Sequence, residues 1–133
     1  MKLAVVIPTY NEKETIQSLI EKLFSEIKPI VDELHVVIID DSSPDGTANI
    51  VTDLSDKFQK ISLIQRPTKL GLGAAYKDGF KYVLENLDSG LVVQMDADNS
   101  HDPSEIATMI EKITDYDFII ASRHVPGSSI CLL

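Results

Sequence analysis

Asp96-Ala97-Asp98 places two carboxylates one residue apart at the end of an apolar run, Leu91 to Met95, that is predicted to be a buried strand. Holding two negative charges together at a strand end is costly unless something positive lies between them. A divalent cation with oxygen ligands meets that need, and Mg²⁺ commonly takes one or two carboxylates and completes its shell with substrate phosphates. The competing reading is a pair of solvated turn carboxylates, with Asp102 capping the next helix. His101, just beyond the pair, suits either a metal or phosphate contact or a turn residue bonded to backbone.

Four other segments carry polar groups in positions where chemistry is done. In Pro8-Thr9-Tyr10-Asn11-Glu12, Tyr10 offers a flat ring for stacking a base, and Glu12 can accept hydrogen bonds from a base edge or a ribose. The plain alternative is that Thr9 or Asn11 caps the first helix and Tyr10 packs over its start. Asp40-Asp41 are adjacent carboxylates after a second strand, and an extended backbone points them to opposite sides. We expect one to hold the loop and Asp41 to face the cleft. Asp45-Gly46 reads as a turn with Thr47 capping the helix after it. Lys69 to Tyr76 is rich in small residues that allow close backbone approach, whether for packing or for a phosphate at a helix start. Its glycine spacing is neither a dinucleotide fingerprint nor a Walker A loop. In Ser122-Arg123, the arginine can grip a phosphate bidentately or pair with a nearby Asp.

These segments need a scaffold that gathers them. Leu3–Ile7, Leu34–Ile39, Ile61–Ile64, Leu91–Met95 and Phe118–Ala121 read as five short strands. Helical stripes lie between them: Ile16 to Ile27, Ile50 to Phe58, Tyr76 to Leu87 and Ile106 to Ile113. Pro29 stops the first helix, and Asp102-Pro103 is a cap followed by a first-turn proline. Alternating strands and helices with unbroken apolar strands predict an α/β fold, a mostly parallel sheet flanked by helices on both faces. Ligands of such sheets bind beyond the carboxyl ends of the strands. The motifs after strands one, two, four and five should therefore share one rim.

Composition narrows the partners. The 133 residues suit one domain, and the net charge of −9 argues against a nucleic-acid partner. So acidic a chain also needs a counter-ion to hold a polyphosphate. The lone Cys131 excludes an intrachain disulfide, and no run approaches a membrane span, so a cytoplasmic location is expected, with contact at a membrane surface still open.

Taken together, PTYNE at 8–12, IIDDSSPDGT at 38–47, KLGLGAAY at 69–76, MDADNSH at 95–101 and ASR at 121–123 resemble, in order and spacing, the inverting family-two glycosyltransferases of GT-A fold. Within these, the pattern is most similar to the dolichol-phosphate (polyprenol-phosphate) mannosyltransferases. The resemblance implies a Rossmann-like GT-A domain over residues 1–123, incomplete at its C-terminus, and an atypical tail over 124–133. It implies that Pro8, Tyr10 and Glu12 line the nucleotide pocket and that Ile39 and Asp41 complete it around base and ribose. It implies that Asp96 and Asp98 hold Mg²⁺ or Mn²⁺ on the donor diphosphate, with the Ala97 backbone near the nucleotide-sugar. Arg123 would meet a phosphate of donor or acceptor, and Asp98 and Arg123 are the catalytic candidates.

The expected reaction moves a sugar, mannose from GDP-mannose on the nearest resemblance, to a polyprenyl phosphate at the cytoplasmic face of a membrane. A phosphate monoester with a second pKa of about 6 is largely ionised near neutrality and can attack without a protein base. After Arg123 the chain departs from the family: His124 stands where a tyrosine is usual, and Pro126-Gly127-Ser128 only loosely echoes a glycine segment. A second reading is therefore a non-catalytic nucleotide-sugar-binding fragment, or one half of a split enzyme completed by a second chain. A nucleotidyltransferase is a third, disfavoured because a glycine-rich basic loop would be wanted where Pro8 to Glu12 stands.

Overall fold

The computed structural model describes residues 1–122, together with 131–132. Its elements run β1 (Lys2–Thr9), α1 (Ile16–Glu26), a 3₁₀ turn (Lys28–Ile30), β2 (Glu33–Asp40), α2 (Thr47–Phe58), β3 (Ile61–Gln65), α3 (Leu72–Asn86), β4 (Leu91–Gln94), α4 (Pro103–Lys112), a second 3₁₀ turn (Ile113–Asp115), β5 (Ala121–Ser122) and β6 (Cys131–Leu132). The main sheet has the order β3-β2-β1-β4, and all its pairings are parallel.

Side-chain alternation along the strands builds two cores. Leu3, Val5 and Ile7 of β1, with Leu34, Val36 and Ile38 of β2, face the layer formed by α1, α2 and α4 through Leu19, Leu23, Leu54 and Ile106. Ala4 and Val6, with Val37 and Ile39, face α3 through Ala75, Tyr76 and Val83. β1 and β2 are thus covered on both sides, which is why their sequences are unbroken apolar runs. Phe24 of α1 and Phe58 of α2 stack with ring centroids 4.4 Å apart, locking those two helices side by side. On the other face, α3 comes so close that a side chain at Gly79 would force its neighbours to shift. A Cβ there would lie 2.3 Å from Val6 Cγ1 and 2.7 Å from Ile39 Cδ1.

Register decides where the polar segments emerge. Thr9 sits opposite Asp40, and Asp40 opposite Gln65, so β1, β2 and β3 end at one level. β4 pairs Gln94 with Val6, and the Met95 amide continues the ladder onto the Val6 carbonyl at 3.1 Å. Asp96 therefore emerges on the same rim as Pro8 and Thr9.

Two local expectations change. Phe118–Ala121 was expected as a fifth strand of the main sheet. Only Ala121–Ser122 is extended, and it pairs antiparallel with Cys131–Leu132 in a separate two-stranded sheet. Phe118 is 74 % and Ile120 48 % exposed, so this run is not a core strand. A four-residue apolar run carries hydrophobicity but no information about which edge it joins. Thr47 is the first residue of α2 and not its cap; Gly46 holds the cap position in the left-handed region at φ +93°. Likewise Thr15, rather than Thr9 or Asn11, precedes α1. Asp102 does cap α4, accepting from the Ser104 amide at 3.0 Å, with Pro103 following it.

Candidate functional site

Pro8, Tyr10, Glu12, Asp41, Asp96, Ala97 and Asp98 line one cavity of about 290 Å³ beyond the carboxyl ends of β1, β2 and β4. Lys69, Gly71, Leu72 and Ala75 close it from the start of α3. Residues separated by up to ninety positions in sequence are thus brought to one place. Ile39 is not among the lining residues: its side chain is fully buried against Gly79 in the α3-side core. Alternation puts Ile39 on the same face as Val37, inside the α3-side core and one step short of the rim. Arg123 lies outside the described residues. A larger cavity of about 530 Å³ lies elsewhere, between β4, α4 and 117–121, and is lined mainly by apolar side chains such as Val92, Met109 and Phe118.

The two carboxylates where β2 ends have different partners. Asp40 is fully buried and accepts from the Thr9 hydroxyl at 2.7 Å, the Ser43 amide at 3.0 Å and the Ser43 hydroxyl at 2.6 Å. It stitches the ends of β1 and β2 together. Asp41 reaches the cavity, but it is held from behind by Arg66. The guanidinium donates Nε to Asp41 Oδ1 at 2.6 Å and Nη2 to Oδ2 at 2.8 Å.

The Ser42–Thr47 loop serves the Pro8–Glu12 loop. The Ser43 hydroxyl accepts from the Asn11 amide, the Thr47 hydroxyl from the Glu12 amide and the Asp45 carboxylate from the Lys13 amide, all within 3.1 Å. These bonds satisfy amides that precede α1 and would otherwise be unpaired. They also fix Tyr10 and Glu12 at the cavity mouth. Glu12 titrates above the ordinary carboxyl range, chiefly because burial disfavours its charge, with Asp98, Asp45 and Asp96 adding repulsion. Lys69 lies over the Tyr10 ring, its ammonium 4.3 Å from the centroid, so the exposed tyrosine face already carries a cation.

The carboxylate pair has its own supports. The Tyr76 hydroxyl donates to Asp96 Oδ1 at 2.5 Å. Burial and this bond push the Tyr76 phenol well above its ordinary range, so it stays protonated and remains a donor. His101 Nδ1 accepts from the Asp96 amide at 3.1 Å, so a neutral ring carries its hydrogen on Nε2. His101 is thus bonded to the turn backbone through Nδ1, with Nε2 as the ring's other nitrogen. Asp98 is exposed, and its carboxyl is held below the ordinary range by hydrogen bonds from Ser100. The Thr15 hydroxyl donates to the Ala97 carbonyl at 2.8 Å, tying the start of α1 to the pair.

An ionised Asp98 beside an oriented Asp96 gives a hard, all-oxygen donor set suited to Mg²⁺ or Mn²⁺. Among the described residues no three or more His, Cys, Asp or Glu side chains converge into a protein-only cage. A cation held by these two carboxylates would take its remaining ligands from water or from a bound molecule.

Sequence reading missed three supports of this site: Thr15, Tyr76 as a partner of Asp96, and Arg66. Arg66 carried the same signal used for Arg123. It is one of two arginines in an acidic chain, and it directly follows a strand.

The model of "Glycosyl transferase family 2" matches residues 4–130. This chain belongs to that family. It is 36% identical over 130 residues to an undecaprenyl-phosphate mannosyltransferase of Micrococcus luteus, covering 98% of this chain and 51% of that one. It is 38% identical over 133 residues to a dolichol-phosphate mannosyltransferase of Pyrococcus furiosus, covering 98% of this chain and 35% of that one. The structure superposes, at a TM-score of 0.69 and 24% identity, on a mannosyltransferase of Pyrobaculum calidifontis solved with GDP-Man and Mn²⁺, covering 86% of this chain and 32% of that one. The fold is accordingly the GT-A α/β fold. The chain spans between about a third and a half of the length of these curated relatives.

Proposed function

We propose that the cavity binds a nucleotide-sugar, GDP-mannose, and that the chain is the donor-binding part of a glycosyltransferase that passes mannose, with inversion, to a polyprenyl phosphate. The observation that carries this is the convergence of Tyr10, Glu12, Asp41, Asp96 and Asp98 on one cavity at the carboxyl rim of the sheet. The Micrococcus and Pyrococcus relatives are named for transfer to lipid phosphates, and the Pyrobaculum protein was solved with GDP-Man and Mn²⁺. These names support the donor and acceptor assigned here.

In this reading Tyr10 and Asp41 receive the base, Glu12 the ribose, and the Ala97 backbone lies near the nucleotide-sugar, with Pro8 packing beneath. Ile39 acts from the core, behind Asp40 and Asp41. Asp96 and Asp98 hold Mg²⁺ or Mn²⁺, which when bound neutralises charge developing on the leaving diphosphate. The Tyr76 hydroxyl and the His101 ring hold Asp96 so that its carboxylate is aimed before substrate arrives. Arg123 meets a phosphate of donor or acceptor. No protein base is required, because an acceptor phosphate monoester is already ionised near neutrality.

Among the described residues no helix is long and apolar enough to cross a membrane. In this proposal the chain meets its lipid acceptor at the cytoplasmic surface of a membrane.

Calorimetric titration with GDP-mannose and with UDP-glucose, in Mn²⁺ and in chelator, tests the reading. Metal-dependent binding of GDP-mannose, lost in Asp98→Ala, supports it. Absence of binding by the folded chain under every condition overturns it.

A further inference from the structure

Arg66 is the first residue beyond β3, and it is only 5 % exposed. Besides the two bonds to Asp41, it donates Nη1 to Asp78 Oδ2 at 3.2 Å and Nη2 to the Gly71 carbonyl at 3.3 Å. Its amide donates to the Asp40 carbonyl at 2.8 Å, and its own carbonyl accepts from the Ser42 hydroxyl. One residue thus ties together the end of β2, the loop after it and the entrance of α3. Gly71 has φ +96° and ψ 161°, a conformation open to glycine, so the carbonyl it presents to Arg66 depends on that residue.

A buried charge is held only where partners compensate it, and Asp41 and Arg66 compensate each other. The two-pronged grip occupies one face of the carboxylate and fixes its plane. Each oxygen keeps a further lone pair, and the one toward the cavity is free to accept an N–H from a ligand. The grip also cancels one of the negative charges in a cavity lined by Glu12, Asp41, Asp96 and Asp98. Without it, an anionic ligand would meet an unscreened carboxylate beside its base.

We propose that Arg66 is the positioning residue of the base pocket: it aims Asp41 at a heterocycle N–H and makes that end of the cavity tolerant of an anionic nucleotide. The inference rests on the nucleotide reading of the cavity, and it adds a residue that acts through Asp41 without touching the ligand. It also predicts that the effect of Arg66 falls mainly on the base end of the cavity and only slightly on the diphosphate end, where Asp96 and Asp98 lie.

The test compares two probes, GDP and inorganic pyrophosphate, both titrated calorimetrically with Mn²⁺ into the wild-type chain, Arg66→Lys and Arg66→Met. Pyrophosphate reports the metal end alone. Loss of aim at one charge-assisted hydrogen bond weakens GDP by about tenfold. Arg66→Lys keeps the charge but lacks the planar fork, so it should weaken GDP, though less than Arg66→Met, which loses both. Pyrophosphate affinity should stay within about twofold, since its site is separate. Equal losses for both probes, or unchanged GDP affinity in a folded variant, overturn the proposal, because a purely structural role would move both or neither. If Arg66→Met does not fold, Arg66→Lys decides alone. Failure of the wild-type chain to bind GDP while binding pyrophosphate overturns the base-pocket reading itself, and this inference with it.

Discussion

The Tyr76 hydroxyl and the Asp96 carboxylate form a 2.5 Å hydrogen bond that links the first turns of α3 to the segment just after β4. Tyr76 is 5 % exposed and packs in the α3-side core, so its hydroxyl position is set by the core and not by the loop it serves. A carboxylate oriented by a rigid partner costs less to organise when a cation binds.

Tyr76→Phe removes that orientation while keeping the ring in its packing. Mn²⁺ affinity, read by electron paramagnetic resonance of the free ion, should fall by about tenfold, the usual cost of losing an outer-shell partner. Thermal stability should change little, since the phenol bonds a partly exposed carboxylate. An unchanged Mn²⁺ affinity would show that Asp96 needs no such support.

Glu12→Gln should separate stability from function. The folded-state pKa of Glu12 is raised, chiefly by burial, so its ionised form is disfavoured on folding. Above the unfolded carboxyl range, about 4.3, the charge therefore subtracts from stability, and at lower pH the effect vanishes. The variant should melt higher than wild type at pH 7 and equally at pH 3. It should also bind the nucleotide more weakly. A lower melting temperature at pH 7 would contradict the sign of this argument.

Asp102→Ala removes the cap of α4 and the partner of Lys22, 2.9 Å away. The expected cost is about 1 kcal/mol at pH 7, the usual value of such a cap. Hydrogen bonds from Ser104 and then Lys22 hold the Asp102 carboxyl below its ordinary range. Its stabilisation is therefore complete above the unfolded value and is lost as pH falls through the folded one. Urea titrations of wild type and variant should differ at pH 7 and converge toward pH 2.

Gly79→Ala places a methyl group within 2.3 Å of Val6 Cγ1. Val6 lies in β1, at the centre of the sheet, so the clash has to be relieved by moving α3. A loss of roughly 1–3 kcal/mol is expected in urea denaturation. Because α3 also carries Tyr76, Mn²⁺ binding should weaken in the same variant. Gly73→Ala is the control, since nothing lies within 4 Å of a Cβ there.

Much of this was legible in the residues themselves. Unbroken runs such as Leu3–Ile7 and Leu34–Ile39 state that β1 and β2 are buried on both faces, and periodicity places α1 to α4 between them. The carboxylates of Asp41, Asp96 and Asp98 announce themselves because they stand at the ends of those runs, where an ordinary soluble strand needs no charge. Asp102-Pro103 marks the start of α4 by local chemistry alone. The separation of Asp40 from Asp41 follows from the alternation of an extended chain.

Tertiary structure decided what depends on pairing between distant segments. Nothing local tells that the Asp41 carboxylate meets Arg66, twenty-five residues on, or that Tyr76 reaches Asp96. Nor does Phe118–Ala121 reveal that it leaves β4 without a strand on its outer side among the described residues. Hydrophobic periodicity specifies which face of an element is buried, because burial acts on each side chain separately. Which polar groups become partners is set by register, by crossover and by the close approach that Gly79 allows, and those exist only once the sheet and its helices have assembled.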